Sequence, residues 1–265
     1  MSNAVSESNV LSEIKDQVKW IWFNRPEVRN ALVPDSSDAV REHIEKAPAE
    51  GARVVVLGGK GGAFCSGADL KAITQMESYS GVRDVLVNCY HPLVMAMAKS
   101  PLPIIAAVDG AAAGIGCDIS LAADMRLISD RAFFAEIFVN ISLIPDGGGT
   151  FTLPRLVGLG RALEMAATGC RVPAEQAVAW GLANHVYPAD TFEEEVHRFA
   201  AALAQKAPLS LARSKQAIRQ SMNSGSLEEA LALEADLQEE LSQSSDFPEG
   251  VMAFIEKRPP NFQGK

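Results

Sequence analysis

Short β-forming runs alternate with helical segments through the first half of the chain, and this alternation limits the possible folds more than any other feature. Four runs rich in β-branched and other apolar side chains are predicted strands, at residues 19–24, 53–57, 104–108 and 125–128. Apolar residues at helical spacing predict helices over residues 35–47 and 81–99 and from Gly114. Because parallel strands need crossover segments, usually helices, this order predicts an α/β core.

The last quarter of the sequence is predicted to be helical throughout. Apolar residues recur there at helical spacing, and Ser226 with Glu229 and Asp246 with Glu249 form two predicted capping boxes. Four consecutive amphipathic helices need a partner surface, either the core or a second subunit. We therefore expect three regions, a flexible N-terminal segment at residues 1–13, a core at 14–189 and a helical oligomerisation region at 190–265.

The charge balance and the cysteines argue against several classes of function. The 265-residue chain has 24 Lys and Arg against 33 Asp and Glu, a net charge of −9, so we expect no nucleic-acid partner. Its four cysteines form no CxxC pair, which argues against a metal site or a disulfide framework and fits a reducing compartment. Asp109 and Asp118 interrupt the most apolar stretch, so we expect no membrane contact and a cytoplasmic location.

Two glycine-rich segments, residues 58–69 and 109–118, each join a predicted strand to a predicted helix. Glycine allows the backbone to approach a ligand closely, and the first N–H groups of a helix have no partner within it. Two such segments directed at one point would bind an oxyanion. The second lacks the GxGxxG spacing of a dinucleotide site and the first lacks the GxxxxGK[ST] phosphate-binding pattern, so we expect neither kind of nucleotide site.

A third glycine-rich segment, residues 144–150, carries a single carboxylate, Asp146, before a predicted helix. An aspartate at this position is a common helix N-cap. Asp146 is also a candidate general base, since a carboxylate on a flexible turn can reach a bound substrate. The spacing leaves both roles open.

Six motifs in order give the chain a family resemblance. The motifs are FNRPEVRNAL from Phe23, GAFCSGAD from Gly62, VDGAAAGIGC from Val108, LIPDGGGTFTLPR from Leu143, AWGLA from Ala179 and EKR from Glu256. Over residues 18–262 the sequence resembles the crotonase superfamily, the enoyl-CoA hydratase/isomerase group of acyl-CoA enzymes. This resemblance implies a spiral of ββα units with a C-terminal helical region, and assembly into a homotrimer or homohexamer.

The resemblance also implies a site. In that family two backbone N–H groups polarise the thioester carbonyl of the substrate, and the matching positions are Ala68 and Ile115. The acyl pocket is expected to be lined by residues 74–82 and 133–140, including Phe138. Coenzyme A, as part of the substrate, is expected to contact Arg25, Arg29, Ala31, Leu32, Ala68, Asp69, Leu70, Lys71, Gly114 and Lys257. Lys71 and Lys257 would lie near its phosphates, the latter from a neighbouring subunit, and no further cofactor or metal is expected.

The chain departs from the hydratases of this family, which carry two glutamates. Asp118 matches the first with a shorter side chain, whereas Phe138 stands at the second, with the nearest acid at Glu136. Asp146 instead resembles the single acid of enoyl-CoA isomerases and ring-epoxide isomerases, and coenzyme A dehalogenases carry an Asp here as a nucleophile. Asp118 is then either a second acid/base group or a cap of its own helix.

His91 has two open interpretations, an acid/base partner in the acyl pocket or a histidine bonded to the backbone at a helix start. From the residues and the resemblance together we predict an enoyl-CoA isomerase that stabilises a thioester enolate and uses Asp146 as its acid/base group. The alternatives are an enoyl-CoA hydratase and a non-catalytic relative that binds acyl-CoA or nucleic acid.

Overall fold

Two β-sheets organise the part of the chain that the structure describes, residues 8–76, 81–223 and 225–265 of a computed structural model. The strands are β1 (Val10–Lys15), β2 (Val18–Phe23), β3 (Val54–Gly59), β4 (Ile104–Val108), β5 (Ala111–Ala113), β6 (Met125–Ser129), β7 (Phe133–Ala135), β8 (Val172–Pro173) and β9 (His185–Tyr187). The first helices are α1 (Pro34–Lys46), α2 (Leu70–Thr74), α3 (Val82–Val85), α4 (His91–Lys99), α5 (Ile115–Ala122) and α6 (Gly149–Val157). They are followed by α7 (Leu159–Thr168), α8 (Ala174–Trp180), α9 (Phe192–Ala204), α10 (Pro208–Ser221), α11 (Leu227–Ser242) and α12 (Asp246–Glu256).

The chain passes repeatedly from a large sheet to a small one. The large sheet has the order β1-β2-β3-β4-β6-β9 and is parallel except for the pairing of β1 with β2. The small sheet has the order β5-β7-β8. Because β5 follows β4 and β7 follows β6, each passage adds one strand to each sheet. This is the spiral that the resemblance implied, and it confirms the predicted α/β class.

Both faces of the large sheet are covered, as the composition of β2 requires. All six residues of β2 are buried, and alternate side chains of a strand point to opposite faces. Trp20 and Trp22 pack with Phe192 and Val196 of α9, whereas Ile21 packs in the main core with α1 and α5. Burial of each large apolar side chain contributes about 1.5–3 kcal/mol, so α9 is held firmly to the core.

The helix predicted over residues 81–99 is divided in the structure. A π-helical turn, Leu86–Tyr90, separates α3 from α4. Pro92 lies in the first turn of α4, and since proline has no N–H it cannot continue the α-helical hydrogen bonds of the preceding turn. The resulting irregularity places Leu86 and Tyr90 beside the cavity described below.

The flexible N-terminal segment predicted at residues 1–13 includes residues that form a strand in the structure. Residues 1–7 lie outside the described residues, but β1 begins at Val10, which is 4% exposed and pairs with Phe23. The prediction for residues 10–13 is therefore wrong, because antiparallel pairing with the apolar β2 orders this stretch.

One of the two helix caps predicted after residue 190 forms in the structure, and the other does not. The Oγ of Ser226 accepts a hydrogen bond from the N–H of Glu229 at 3.2 Å, as predicted. The carboxylate of Asp246 instead accepts hydrogen bonds from the N–H groups of Gln263 and Gly264, so it holds the C-terminal tail. None of the helices in the described ranges combines the length and hydropathy that crossing a membrane requires.

Candidate active site

A cavity of about 220 Å³ lies where the two glycine-rich segments meet the loop that carries Asp146. Its walls are mainly apolar, and they include Leu70, Ile73, Leu86, Ile137, Phe138 and Leu143. Thr74 and Val82 also line it, as predicted for residues 74–82, although residues 77–80 lie outside the described residues. The cavity is therefore suited to an apolar chain with one polar reacting group.

Glycines bring the two glycine-rich segments into contact. Gly67 and Gly114 have φ angles of 113° and 53°, which favour glycine. A Cβ on Gly114 would lie 3.7 Å from the Cα of Gly67, so the two backbones approach without an intervening side chain. The N–H of Cys65 donates to Ala111 and the N–H of Ala113 donates to Cys65, both at 3.0 Å. The small sheet thus fixes the relative position of the two segments.

The N–H groups of Ala68 and Ile115 are available to a ligand. Ile115 is the first residue of α5, so its N–H has no acceptor within the helix. The N–H of Leu32 donates to Gly67 at 2.8 Å and that of Asp69 donates to Leu32 at 2.9 Å. These two hydrogen bonds lie on either side of Ala68, and the N–H of Ala68 itself has no acceptor within the described residues. Since Ala68 and Ile115 line the same cavity, they form a candidate oxyanion site.

An ion pair supports the segment that carries Ala68. Asp69 is the N-cap of α2 and accepts from the N–H of Ala72 at 3.0 Å, while Arg25 donates to its other oxygen at 2.9 Å. Arg25 also donates to the carbonyl of Ala31 at 2.7 Å. The Ala72 N–H and the Arg25 guanidinium lower the pKa of Asp69. These residues, predicted to contact coenzyme A, hold the loop together.

The other residues of the coenzyme A prediction differ in their exposure and in their place in the fold. Leu32 is fully buried, whereas Leu70 is 49% exposed and lines the cavity together with Gly114. Arg29, between β2 and α1, and Lys71, in α2, are exposed. Lys257 is exposed at the end of α12, the last helix.

Asp146 is not the cap of the helix that follows it. The N-cap of α6 is Gly148, and no side chain caps it. The Asp146 carboxylate faces the cavity, and its Oδ1 is buried without a hydrogen-bond partner among the described residues. Burial raises the pKa of Asp146 to about 6, although the charge of His91 opposes the rise. A carboxylate with this pKa is poised to take and return a proton near neutral pH.

His91 contacts the backbone of the Asp146 loop. It is the first residue of α4, and its Nε2 lies 2.9 Å from the carbonyl oxygen of Asp146. The structure therefore favours the second interpretation of His91, a histidine bonded to the backbone.

Asp118 and Glu136 lie behind the cavity. Both side chains are 0% exposed. The Oδ2 of Asp118 accepts from the N–H of Gly147 at 2.6 Å and from that of Asp146 at 3.2 Å. Asp118 does not cap α5, whose N-cap is Gly114, so that interpretation is wrong.

Phe138, 7% exposed, lines the cavity. Of the described residues lining the cavity, Asp146 alone carries a carboxylate.

Sequence reasoning missed Tyr90, whose hydroxyl donates to the carbonyl of Leu32 at 3.2 Å and whose ring lines the cavity. Its place directly before His91 and Pro92 was the available signal, because a proline marks a break in a helix.

The described residues contain no cluster of three His, Cys, Asp or Glu side chains able to hold a metal ion.

Comparisons with known proteins agree on one family. The sequence model described as "Enoyl-CoA hydratase/isomerase" matches residues 13–265. A "Probable enoyl-CoA hydratase" of Rhodobacter capsulatus is 42% identical, over 98% of this chain and 100% of that protein. The "1,2-epoxyphenylacetyl-CoA isomerase" of Escherichia coli is 35% identical, over 97% and 98%. The crystal structure of an enoyl-CoA hydratase from Bacillus anthracis superposes with a TM-score of 0.92 at 32% identity, covering 97% of this chain and 100% of that one.

Proposed function

Since the chain belongs to the enoyl-CoA hydratase/isomerase family, we propose that it is an enoyl-CoA isomerase that moves a double bond with one carboxylate, Asp146. The observation that carries this proposal is that Asp146 alone supplies a carboxylate among the described residues lining the cavity. Relatives of the chain are named both hydratases and isomerases, so the choice between the two rests on the chemistry of the site.

Double-bond migration needs one group that both takes and returns a proton. The Asp146 carboxylate removes a proton from the alpha carbon of a 3-enoyl-CoA, and the electrons of that bond pass into a dienolate with its charge on the thioester oxygen. The N–H groups of Ala68 and Ile115 stabilise that oxygen. Protonated Asp146 then returns the proton to the gamma carbon, which gives the 2-enoyl thioester.

Hydration needs more than this cavity provides. Adding water requires one group that positions and deprotonates it and another that protonates the alpha carbon. Phe138 stands where the second glutamate of the hydratases is expected, and Asp118 and Glu136 are completely buried. We therefore propose that hydration of a 2-enoyl-CoA is slow or absent.

The remaining parts of the proposal concern assembly, cofactors and location. We propose a homotrimer or homohexamer, a reaction without any cofactor apart from the coenzyme A of the substrate, and a cytoplasmic location. Exposed apolar side chains on the last two helices support assembly, because Leu227, Phe254 and Ile255 are 71%, 86% and 65% exposed and such surfaces commonly mark interfaces.

A paired kinetic assay tests the function. The wild type is given 3-hexenoyl-CoA, to measure isomerisation, and crotonyl-CoA, to measure hydration. Asp146→Asn is expected to abolish isomerisation, whereas Asp190→Asn, an exposed control, is expected to leave it unchanged. Fast hydration that survives Asp146→Asn but is lost in Asp118→Asn or Glu136→Gln would show that the buried pair is the working site of a hydratase. No turnover of either substrate would favour a binding protein.

A further inference from the structure

The turn that carries Asp146 rests directly on Asp118. Asp118 accepts hydrogen bonds from the N–H groups of Asp146 and Gly147. The glycines of the turn also pack against the Asp118 side chain with no space for a side chain of their own. A Cβ on Gly149 would lie 2.0 Å from Oδ1 of Asp118, and one on Gly147 would lie 2.7 Å from its Cβ. The position of the Asp146 backbone is therefore set by the Asp118 carboxylate.

Glu136 is a completely buried carboxyl group without an evident donor. Both of its oxygens, like Oδ1 of Asp118, lack an N–H or O–H donor among the described residues, and only the thiol of Cys117, a weak donor, lies beside Glu136. An ionised carboxylate in such a place would carry a large desolvation penalty.

A shared proton accounts for the lack of donors at both acids. The side chains of Glu136 and Asp118 lie within hydrogen-bonding contact. Two carboxylates only accept hydrogen bonds, so their contact becomes a hydrogen bond when a proton lies between them. Asp118 already accepts two backbone N–H groups, which favour its ionised form, whereas Glu136 accepts no N–H group and has only the weak thiol donor of Cys117 beside it. The proton accordingly belongs on Glu136.

We propose that protonated Glu136 donates a hydrogen bond to Asp118 and that this buried pair is a positioning device that fixes the turn bearing Asp146. Glu136 satisfies Oδ1 of Asp118, and Oδ2 is then held against the turn. Neither acid touches the substrate. The inference rests on the proposed function, because it concerns the placement of Asp146 as the acid/base group.

The groups that face the pair are consistent with a shared proton. Cys117 of α5 lies beside Glu136, and Asp146 approaches from the loop before α6. His91, at the start of α4, acts on Asp146 through its charge. Burial raises the pKa of both Asp118 and Glu136, and for Glu136 the charge of Asp118 adds to the rise. No cation is among the groups that act on Glu136 within the described residues.

Amide and apolar substitutions test the pair. Glu136→Gln keeps a donor toward Asp118, and its isomerase kcat is expected to stay within about threefold of wild type; Glu136→Leu removes the donor, and kcat is expected to fall about tenfold or more while KM changes little. Asp118→Asn keeps an acceptor for the turn and is expected to lower kcat less than Asp118→Val, which has none. If the amide variants lose as much kcat as the apolar ones, the acids act chemically and the positioning role is wrong. If all four variants keep the wild-type kcat, the pair positions nothing.

An infrared measurement tests the proton itself, without using activity. Wild type at neutral pH is expected to show the carbonyl stretch of a protonated carboxylic acid, which Glu136→Gln loses and Asp146→Asn keeps. Absence of this band in wild type would overturn the assignment of the proton. Asp146→Asn in the kinetic assay separates the two proposals, because full activity in that variant contradicts the isomerase mechanism itself, whereas a band unaffected by Glu136→Gln contradicts only the buried pair.

Discussion

The Nε2 of His91 lies 2.9 Å from the backbone carbonyl oxygen of Asp146, while the carboxylate of the same aspartate faces the cavity. On the other side of the turn, the N–H of Asp146 donates to Asp118. Both polar groups of the Asp146 peptide backbone are thus held, and only the side chain is left to react. A fixed backbone with a free carboxylate is what repeated proton transfer between two carbons requires.

The acid limb of the pH profile should report Asp146. Its pKa is raised to about 6 by burial, and only the ionised form can take the alpha proton. We therefore expect kcat/KM to be constant above about pH 6 and to fall about tenfold per pH unit below it. The measurement is kcat/KM for 3-hexenoyl-CoA against pH, with circular dichroism confirming that the fold persists. An acid limb near the ordinary aspartate value would contradict this assignment.

Removal of His91 should move that limb to higher pH. The charge of His91 lowers the pKa of Asp146, so His91→Ala removes this effect and raises the pKa of Asp146. The same pH profile measures the shift. His185→Ala, which removes an exposed histidine on β9, serves as the control and should leave the limb in place. A shift to lower pH in His91→Ala would show that its charge does not act on the carboxylate.

Removing one oxyanion N–H should slow turnover strongly. Proline has no N–H, and it is well tolerated at the first position of a helix, which is where Ile115 lies. We expect Ile115→Pro and Ala68→Pro each to lower kcat about 100-fold or more. Ile115→Val and Ala68→Ser keep the N–H groups and should have mild effects. Equal losses in the proline variants and their controls would show that side-chain packing, and not the N–H, is responsible.

Two substitutions should separate the capping role of Asp69 from its ion pair with Arg25. Asp69→Asn keeps an N-cap acceptor for Ala72, whereas Asp69→Ala loses both interactions, and loss of the cap costs about 1 kcal/mol. The free energy of unfolding in urea should therefore fall further in the Ala variant.

The pH dependence of that loss follows from the sign of the shift. The pKa of Asp69 is lowered in the folded protein, so its ionised form contributes stability above the unfolded-state pKa, and this contribution disappears as the pH falls through the lowered value. The difference between wild type and Asp69→Asn should shrink in acid. A constant difference across this range would exclude the ion pair as its cause.

The sequence by itself determined the alternation of strands and helices and the position of the reacting groups along the chain. The β-branched run in β3 and the apolar run in β4 have few other uses than a buried strand. The motifs around Ala68, Ile115 and Asp146 have a spacing that carries the family resemblance. These signals are local, so they can be recognised before the chain is folded.

Only the tertiary structure decided what each acid does. Asp118 and Glu136 are separated in the sequence by β6 and β7, which belong to different sheets. Nothing local shows that the two acids meet behind the cavity while Asp146 faces into it. Three-residue strands such as β5 and β7 are too short to produce a periodic pattern, yet they align the two glycine-rich segments. Burial and contact between distant residues set the pKa of a carboxyl group, and both arise only when the chain is folded.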